Sequence, residues 1–344
     1  MSFRDLIGHQ PQIEALGRLL KSGRVPHGML FSGPDGVGKQ LVAEALVAAK
    51  FCERKGADAC GECKSCRSLS RGNHPDFERI EREPGKRDIG IGQIRELLDI
   101  LHRKGHTEWG RAAVIRDAER MTTAAQNSFL KTLEEPPPDA LLVLVTSRLE
   151  RILPTVRSRC SLWRFGPLSD AELLEFARTR TDATLDLPLS LAQGSPGRLL
   201  GLADDRLMRA REALIRFVAG SSDLSAFDLA ALLQECASVP AQEEGDVPDD
   251  GRELGRDRLL GLTRMLSLAL RDLALLSLGL EEKLLFNRDR NEALAARARS
   301  LDPESALEAL EVVDQLGFHL RRNMDAGLAL EEGLLGVSKL IGRR

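Results

Sequence analysis

Residues 28–40 read Gly-Met-Leu-Phe-Ser-Gly-Pro-Asp-Gly-Val-Gly-Lys-Gln, an apolar run followed by a glycine-rich loop and the start of a helical pattern. This order is the context that a phosphate-binding loop needs, because glycines let successive backbone N–H groups point into one concavity. The N-terminus of the next helix would add partial positive charge, and Lys39 would reach the outer phosphates. The sequence therefore predicts a nucleotide-binding loop. Its candidate residues are Gly33, Pro34, Gly36, Val37, Gly38, Lys39 and Gln40.

Two parts of a hydrolytic site are replaced. Gln40 stands where an active nucleoside triphosphatase has the Ser or Thr that ligates magnesium. The strand expected at 112–115 is followed by Asp117 and Ala118, where an Asp-Glu pair normally holds magnesium and polarises the attacking water. Glu119 comes one residue later, and we expect this slip to turn its side chain away. The sequence therefore predicts that any bound nucleotide is not efficiently hydrolysed.

The first half of the chain alternates short apolar runs with helical periods. Strands separated by helices predict an α/β domain with a parallel sheet covered on both faces. The clearest helix is capped by Thr122 or Thr123 and stops at the prolines that begin with Pro136. The five expected strands are 28–32, 77–80, 112–115, 141–145 and 161–165.

After Gly166 the strand signal disappears, and the rest of the chain has helical periodicity. The expected helices cover 169–178, 187–193, a stretch from about 198, and then 206–219, 225–238, 254–279, 289–299, 303–321 and 326–341. The polar segment 240–255 is expected to be a mobile loop. The predicted domains are an α/β nucleotide-binding domain at 1–166, a small helical lid at 167–205 and an all-helical domain at 206–344.

Four of the six cysteines fall within 15 residues. The spacing Cys52-x7-Cys60-x2-Cys63-x2-Cys66 offers four thiolates, and tetrahedral zinc favours four sulfurs with tight two-residue spacings. In a reducing compartment such a cluster points to metal ligation ahead of disulfides. We therefore predict a closed, structural zinc site, with four reduced cysteines that hold no metal as the alternative.

Composition excludes several classes of protein. The chain has 344 residues, of which 42% are hydrophobic and 29% charged, so it is neither disordered nor fibrous. A formal net charge of -3 and 4% aromatic residues argue against a protein that grips nucleic acid unaided. No apolar run is long enough to span a bilayer, and the first five residues lack the apolar block of a signal peptide. We expect a cytoplasmic protein that does not enter a membrane.

Several motifs in chain order together resemble the clamp loader of bacterial DNA polymerase III, a family of AAA+ proteins. The resemblance covers about the first 200 residues, and the later helices match only in length and type. The motifs are Leu6-Ile-Gly-His-Gln10, Pro26-His-Gly-Met-Leu-Phe-Ser-Gly-Pro34, the loop through Lys39, the four cysteines, Asn127-Ser-Phe-Leu-Lys-Thr-Leu-Glu-Glu-Pro-Pro137 and Ser158-Arg-Cys160.

The departures from this family distinguish its subunits. Its motor subunits, gamma and tau, keep the Ser or Thr after the loop lysine and the Asp-Glu pair, so Gln40 and Ala118 resemble a subunit with a degenerate ATP site. The resemblance implies that Arg159 acts as an arginine finger on the ATP site of a neighbouring motor subunit. It also implies that Thr146 and Ser147 lie at the position of the family's first sensor. Thr146, and Asp117 as the acid that remains from the Asp-Glu pair, are therefore further candidates for the nucleotide site.

The resemblance further implies the partners. They are the gamma/tau motor subunits and the delta subunit in a hetero-oligomeric ring, with a collar built by the C-terminal helices, and the assembly places a sliding clamp on primed DNA. Two alternatives stay open: an active motor ATPase, and a zinc-dependent module that binds nucleic acid by itself. Whether this chain holds ATP or ADP also stays open.

Overall fold

The computed structural model describes residues 2–83, 86–180, 189–202, 204–221, 223–238, 250–322 and 324–342. The chain divides into two compact units, which we describe separately. The first unit contains Met1–Asp182 and Gln193–Gly197, and the second contains Ala183–Ala192 and Arg198–Arg344. The predicted division into three domains stays a prediction.

The first unit is built on a five-stranded parallel sheet with strand order β2-β3-β4-β1-β5. All five expected strands are present, and each of their ends lies within one residue of the prediction. The central strands β3, β4 and β1 are almost entirely buried, as expected for a sheet covered on both faces. The strands are β1 Gly28–Ser32, β2 Phe77–Ile80, β3 Ala112–Ile115, β4 Leu141–Thr146 and β5 Ser161–Arg164.

Helices pack on both faces of this sheet. Met29 and Phe31 of β1 face one apolar core, whereas Leu30 faces the other, because side chains alternate along a strand. This arrangement confirms the predicted α/β fold class. The helices of the first unit are α1 Gln10–Ser22, α2 Lys39–Lys50, α3 Lys64–Ser70, α4 Ile91–His102, α5 Thr123–Ser128, α6 Leu130–Glu134, α7 Pro154–Arg157 and α8 Asp170–Arg180.

The helix expected between Thr122 and Pro136 is interrupted. Thr122 is its cap, since the hydroxyl accepts a hydrogen bond from Ala125 N at 3.2 Å. At Phe129, however, the backbone N–H donates to the carbonyl of Gln126, three residues back, which tightens the turn and separates α5 from α6. The Phe129 ring is fully buried in the core beneath the sheet.

The second unit is helical in its described part, and its long helices pack around one apolar core. The six helices expected after 205 are present, with ends within four residues of the prediction. Of the stretch 187–193, residues 187 and 188 lie outside the described residues. Helix α10 begins with two residues of the first unit and continues in the second. The remaining helices are α9 Leu189–Ala192, α10 Pro196–Leu202, α11 Asp205–Val218, α12 Ala226–Ala237, α13 Asp250–Ser277, α14 Asn291–Ala298, α15 Pro303–Arg321 and α16 Ala326–Leu340.

The prediction of a loop at 240–255 is wrong at its C-terminal end. Residues 239–249 lie outside the described part of the chain, but α13 already begins at Asp250. An acidic residue is favoured in the first turn of a helix, so the polarity that suggested a loop also suits a helix start. Across the residues described, no helix is both long and apolar enough to cross a membrane.

Candidate functional site

The glycine-rich loop follows β1 at the carboxyl edge of the sheet, where ligands bind in open parallel sheets. Gly33 has no room for a side chain, because an added Cβ would lie 2.1 Å from the carbonyl oxygen of Phe165. Gly36 and Gly38 have φ values of 73° and 103°, which side chains rarely adopt. The loop conformation therefore depends on glycine at these three positions.

Lys39 is folded back onto the loop. It is 6% exposed, and its Nζ donates to the carbonyls of Gly33 at 2.7 Å and Pro34 at 2.6 Å. Burial lowers the pKa of Lys39, although the nearby charges of Asp35, Glu119 and Asp117 oppose the shift. The ammonium thus lies against the loop, with two of its three donors engaged by backbone carbonyls.

A second set of contacts comes from residues 193–197. The Ser195 hydroxyl donates to the carbonyl of Asp35 at 3.0 Å, and Gly197 N donates to the carbonyl of Gly36, also at 3.0 Å. The two glycines approach closely, since a Cβ on Gly197 would lie 3.1 Å from the Cα of Gly36. The turn at 193–197 therefore supports the glycine-rich loop at Asp35 and Gly36.

His9 holds the end of the loop. Its Nε2 lies 2.7 Å from the carbonyl oxygen of Val37, and because a carbonyl can only accept, the proton is on Nε2. The imidazole also packs edge-on against Phe165, with ring centroids 5.1 Å apart. Each carbonyl from residue 33 to residue 37 thus accepts a hydrogen bond from elsewhere in the first unit.

The other predicted nucleotide-site residues lie at the same edge of the sheet. Thr146 is the buried last residue of β4, and Asp117 follows β3, the next strand. Burial raises the pKa of Asp117, against the opposing charge of Arg116. The structure thus brings Asp117 and Thr146 to the edge that carries the loop.

Glu119 is not turned away from this edge, contrary to the prediction. A 3-10 turn at Ala118–Arg120 brings its carboxylate back toward the end of β4, where it accepts hydrogen bonds from the N–H and the hydroxyl of Ser147. Burial alone would raise the pKa of Glu119, but hydrogen bonds from Ser147 and Thr146 bring it below the usual range. An acid is therefore present beside the loop, although at a different position from that of the Asp-Glu pair.

Gln40 begins α2 directly after the loop lysine. Its side-chain amide donates to Glu44 Oε1 at 3.0 Å, one helical turn along. Glu44 also forms a bidentate pair with Arg79, with distances of 3.0 and 2.9 Å. These contacts draw the carboxamide along the helix surface. The residue that replaces the magnesium-binding hydroxyl is thus held within an ion-pair network.

Arg159 lies at the opposite, amino edge of the sheet. It precedes β5 by two residues, and a Cβ on Gly28, the first residue of β1, would lie 3.4 Å from its carbonyl oxygen. The loop begins after the last residue of β1, and a five-residue strand rises about 16 Å. Arg159 and the loop of the same chain are therefore at opposite ends of β1.

The four clustered cysteines come together. Their sulfur atoms all lie within 4.8 Å of one another, and the Cys60 and Cys66 sulfurs are 3.9 Å apart. Tetrahedral zinc with bonds of about 2.3 Å requires sulfurs about 3.8 Å apart, so the set fits. Backbone N–H groups lower the pKa of Cys60 to about 6, whereas burial raises the pKa of Cys66 to about 12. Cys52, Cys60, Cys63 and Cys66 could hold a metal such as zinc.

Sequence reasoning assigned no role to His9 or Ser195. His9 stands in the first motif of the family resemblance and Ser195 in a Gly-Ser-Pro-Gly stretch, and neither pattern indicates a partner. Their contacts with the loop join residues far apart in sequence. The signal that could have found His9 was its position in the first motif of the family resemblance.

Comparison with known proteins shows similarity to subunits of bacterial DNA polymerase III. A sequence model of the family described as "DNA polymerase III, delta subunit" matches residues 8–169. The "DNA polymerase III subunit delta'" of Escherichia coli (strain K12) is 32% identical over 216 residues, which cover 62% of this chain and 65% of that protein. The match therefore spans just under two thirds of that relative.

Two further relatives extend the match. The "DNA polymerase III subunit delta'" of Yersinia pestis is 33% identical over 255 residues, 70% of each chain. The "DNA polymerase III subunit gamma/tau" of Mycobacterium tuberculosis (strain ATCC 25618 / H37Rv) is 29% identical over 240 residues, 67% of this chain and 41% of that protein. This chain is thus similar in sequence to both delta' and gamma/tau subunits.

Proposed function

Because this chain belongs to the family of delta-prime subunits of the DNA polymerase III clamp loader, we propose that it helps a clamp loader place the sliding clamp on primed DNA. In this proposal it is the non-hydrolysing member of a hetero-oligomeric ring that also contains gamma/tau and delta subunits. The second unit, with helices α11 to α16, forms the collar contacts. The proposed location is the cytoplasm.

The lack of hydrolysis is supported by the two replaced groups. Where magnesium needs a hydroxyl ligand, Gln40 has a carboxamide whose nitrogen donates to Glu44. Ala118 is fully buried and has no group that could polarise water. ATP or ADP binding by the loop is part of the proposal, because the loop and Lys39 are intact.

The observation that carries the proposal is the position of Arg159. An arginine finger must reach phosphate oxygens, and Arg159 lies at the edge of the sheet opposite to the loop of its own chain. A guanidinium there serves a nucleotide bound by another subunit. This geometry supports action in trans.

The test is Arg159→Ala in a clamp loader reconstituted with its gamma/tau and delta subunits. We expect ring assembly to be unchanged and ATP turnover stimulated by clamp and primed DNA to fall about tenfold or more, since arginine fingers contribute large factors to phosphoryl transfer. Arg157→Ala is the matched control, because it removes the same charge two residues away. Unchanged turnover in Arg159→Ala would refute the finger.

An active motor ATPase is the second candidate, and the carboxylate of Glu119 beside the loop favours it. The discriminating measurement is ATP turnover by the isolated chain beside its Lys39→Ala variant. Turnover that disappears in the variant would identify a motor. Equal background rates in both proteins support the non-hydrolysing subunit.

For the cysteine cluster we propose one structural zinc per chain, held by Cys52, Cys60, Cys63 and Cys66. Four protein sulfurs leave no open position for water or substrate, so the metal would stabilise the segment 52–66 rather than take part in chemistry. Metal analysis should find one zinc in the protein purified under reducing conditions. Cys63→Ser should lose it, whereas Cys236→Ala, outside the cluster, should retain it.

A further inference from the structure

The guanidinium of Arg159 is bound by its own chain. Its Nε and Nη2 donate to one oxygen of Glu134, at 2.9 and 2.5 Å. Its Nη1 donates to the carbonyl of Thr155 at 3.0 Å and to the hydroxyl of Ser158 at 3.3 Å. All three guanidinium nitrogens thus have partners within the first unit.

We propose that Glu134 is a positioning residue that holds Arg159 in a resting position and releases it to nucleotide phosphates on the neighbouring subunit. This inference rests on the proposed function. It assigns a role to the acid at the end of α6, which keeps Arg159 inactive until a ligand with more negative charge competes for it.

The pair is exposed enough to exchange partners. The Arg159 side chain is 35% exposed and that of Glu134 is 52% exposed, so water screens the attraction between them. A triphosphate offers several oxygens and more negative charge than one carboxylate, and guanidinium binds phosphate in a bidentate manner. A phosphate brought to the amino edge of the sheet therefore outcompetes Glu134.

The backbone around Glu134 is fixed although its side chain is exposed. Glu134 is the last residue of α6, and the preceding carbonyl, of Leu133, lies 2.9 Å from His27 Nε2. An acid at the C-terminal end of a helix is disfavoured by the partial negative charge of the last carbonyls. The helix itself therefore does not favour an acid at position 134. The contact that accounts for Glu134 is its ion pair with Arg159.

The experiment compares Glu134→Gln with wild type in the reconstituted clamp loader. Loss of the carboxylate charge should raise ATP turnover without clamp or DNA by about two- to fivefold, the range set by an exposed ion pair. Turnover with clamp and primed DNA should stay within twofold of wild type. The ratio of stimulated to basal turnover therefore falls, a change that loss of a purely structural contact would not produce.

Two variants make the result specific. Glu135→Gln removes the same charge one residue along, and among the described residues Glu135 forms no ion pair, so it should behave as wild type. In the double variant Glu134→Gln/Arg159→Ala the increase in basal turnover should vanish, because it acts through Arg159. Gel filtration of each variant with the other subunits checks that the ring forms.

The outcomes separate the inference from the proposed function. If Arg159→Ala abolishes stimulation but Glu134→Gln keeps the wild-type ratio, the finger stands and the resting pair is refuted. If Glu134→Gln instead lowers stimulated turnover, Glu134 orients the active arginine and the inference is overturned. If Arg159→Ala changes nothing, both are wrong.

Discussion

The two edges of the sheet hold their cations in opposite ways. At the carboxyl edge Lys39 is buried and donates to backbone carbonyls, whereas at the amino edge Arg159 is partly exposed and, besides the Thr155 carbonyl, pairs with the side chain of Glu134. A carbonyl cannot be withdrawn without moving the chain, but a carboxylate rotates away about its own torsions. Burial among backbone acceptors therefore fixes the first cation, whereas exposure and a carboxylate partner leave the second able to exchange that carboxylate for another anion.

The largest expected effect contrasts Gly28, the first residue of β1, with Gly33, which directly follows the strand. A Cβ on Gly33 would lie 2.1 Å from the backbone oxygen of Phe165, whereas a Cβ on Gly28 would meet the end of the Leu133 side chain at 2.9 Å. Gly33→Ala should therefore lower the free energy of unfolding by about 3 kcal/mol and Gly28→Ala by about 1 kcal/mol, because backbone yields less than a side chain.

Tryptophan fluorescence during urea unfolding measures this difference, since both tryptophans, Trp109 and Trp163, belong to the first unit. Gly92→Ala is the control, because an added Cβ there meets nothing within 4 Å. Equal losses for Gly28→Ala and Gly33→Ala would show that the two edges are equally rigid.

The next prediction removes each cation in turn. Lys39→Met leaves the carbonyls of Gly33 and Pro34 without their donor, and we expect a loss of about 2 kcal/mol after relief of the buried charge. Arg159→Met breaks an exposed pair and should cost less than about 1 kcal/mol. The same fluorescence assay applies, and a larger loss for Arg159→Met would reverse the comparison.

The smallest effect is a pH dependence at the carboxyl edge. Hydrogen bonds hold the pKa of Glu119 below its ordinary value of 4.5, despite burial. The folded state therefore favours the carboxylate, and the resulting stability is present above pH 4.5 and lost as the pH falls through the folded pKa. Glu119→Gln should be less stable than wild type by about 1 kcal/mol at pH 7, and the difference should shrink toward pH 3.

Ser147→Ala provides the check, because it keeps the acid but removes one hydroxyl donor. Its stability difference from wild type should shrink over the same pH range. A difference between Glu119→Gln and wild type that stays constant from pH 7 to pH 3 would contradict the assigned cause. Urea unfolding at a series of pH values gives both curves.

The sheet could be predicted from sequence because each strand is a short apolar run bounded by turn residues, and β2 and β3 have the predicted ends. The interruption at Phe129 could not, since α5 and α6 together have one continuous helical periodicity. The break is a change of backbone hydrogen bonding at Phe129, whose ring is buried among residues distant in sequence. Local pattern contains no such information.

The candidate site was predictable where spacing within one segment defines it. The four cysteines come together as their spacing indicated, and Lys39 lies in its loop. The pairing of Glu134 with Arg159 joins residues 25 positions apart through the fold, so spacing could not predict it. Glu119 was misjudged because the 3-10 turn that redirects it follows a left-handed residue, Asp117, rather than a glycine.

The chain passes from the first unit to the second, returns to the first and then enters the second again, which limits where it can be truncated. Residues 193–197 belong to the first unit, although 183–192, which precede them, belong to the second. A fragment ending at residue 182 would keep all five strands but lose the Ser195 hydroxyl and the Gly197 N–H, leaving the carbonyls of Asp35 and Gly36 to water. The glycine-rich loop of such a fragment would lack two hydrogen bonds that the intact chain has, so a nucleotide affinity measured on the fragment would not apply to the intact protein.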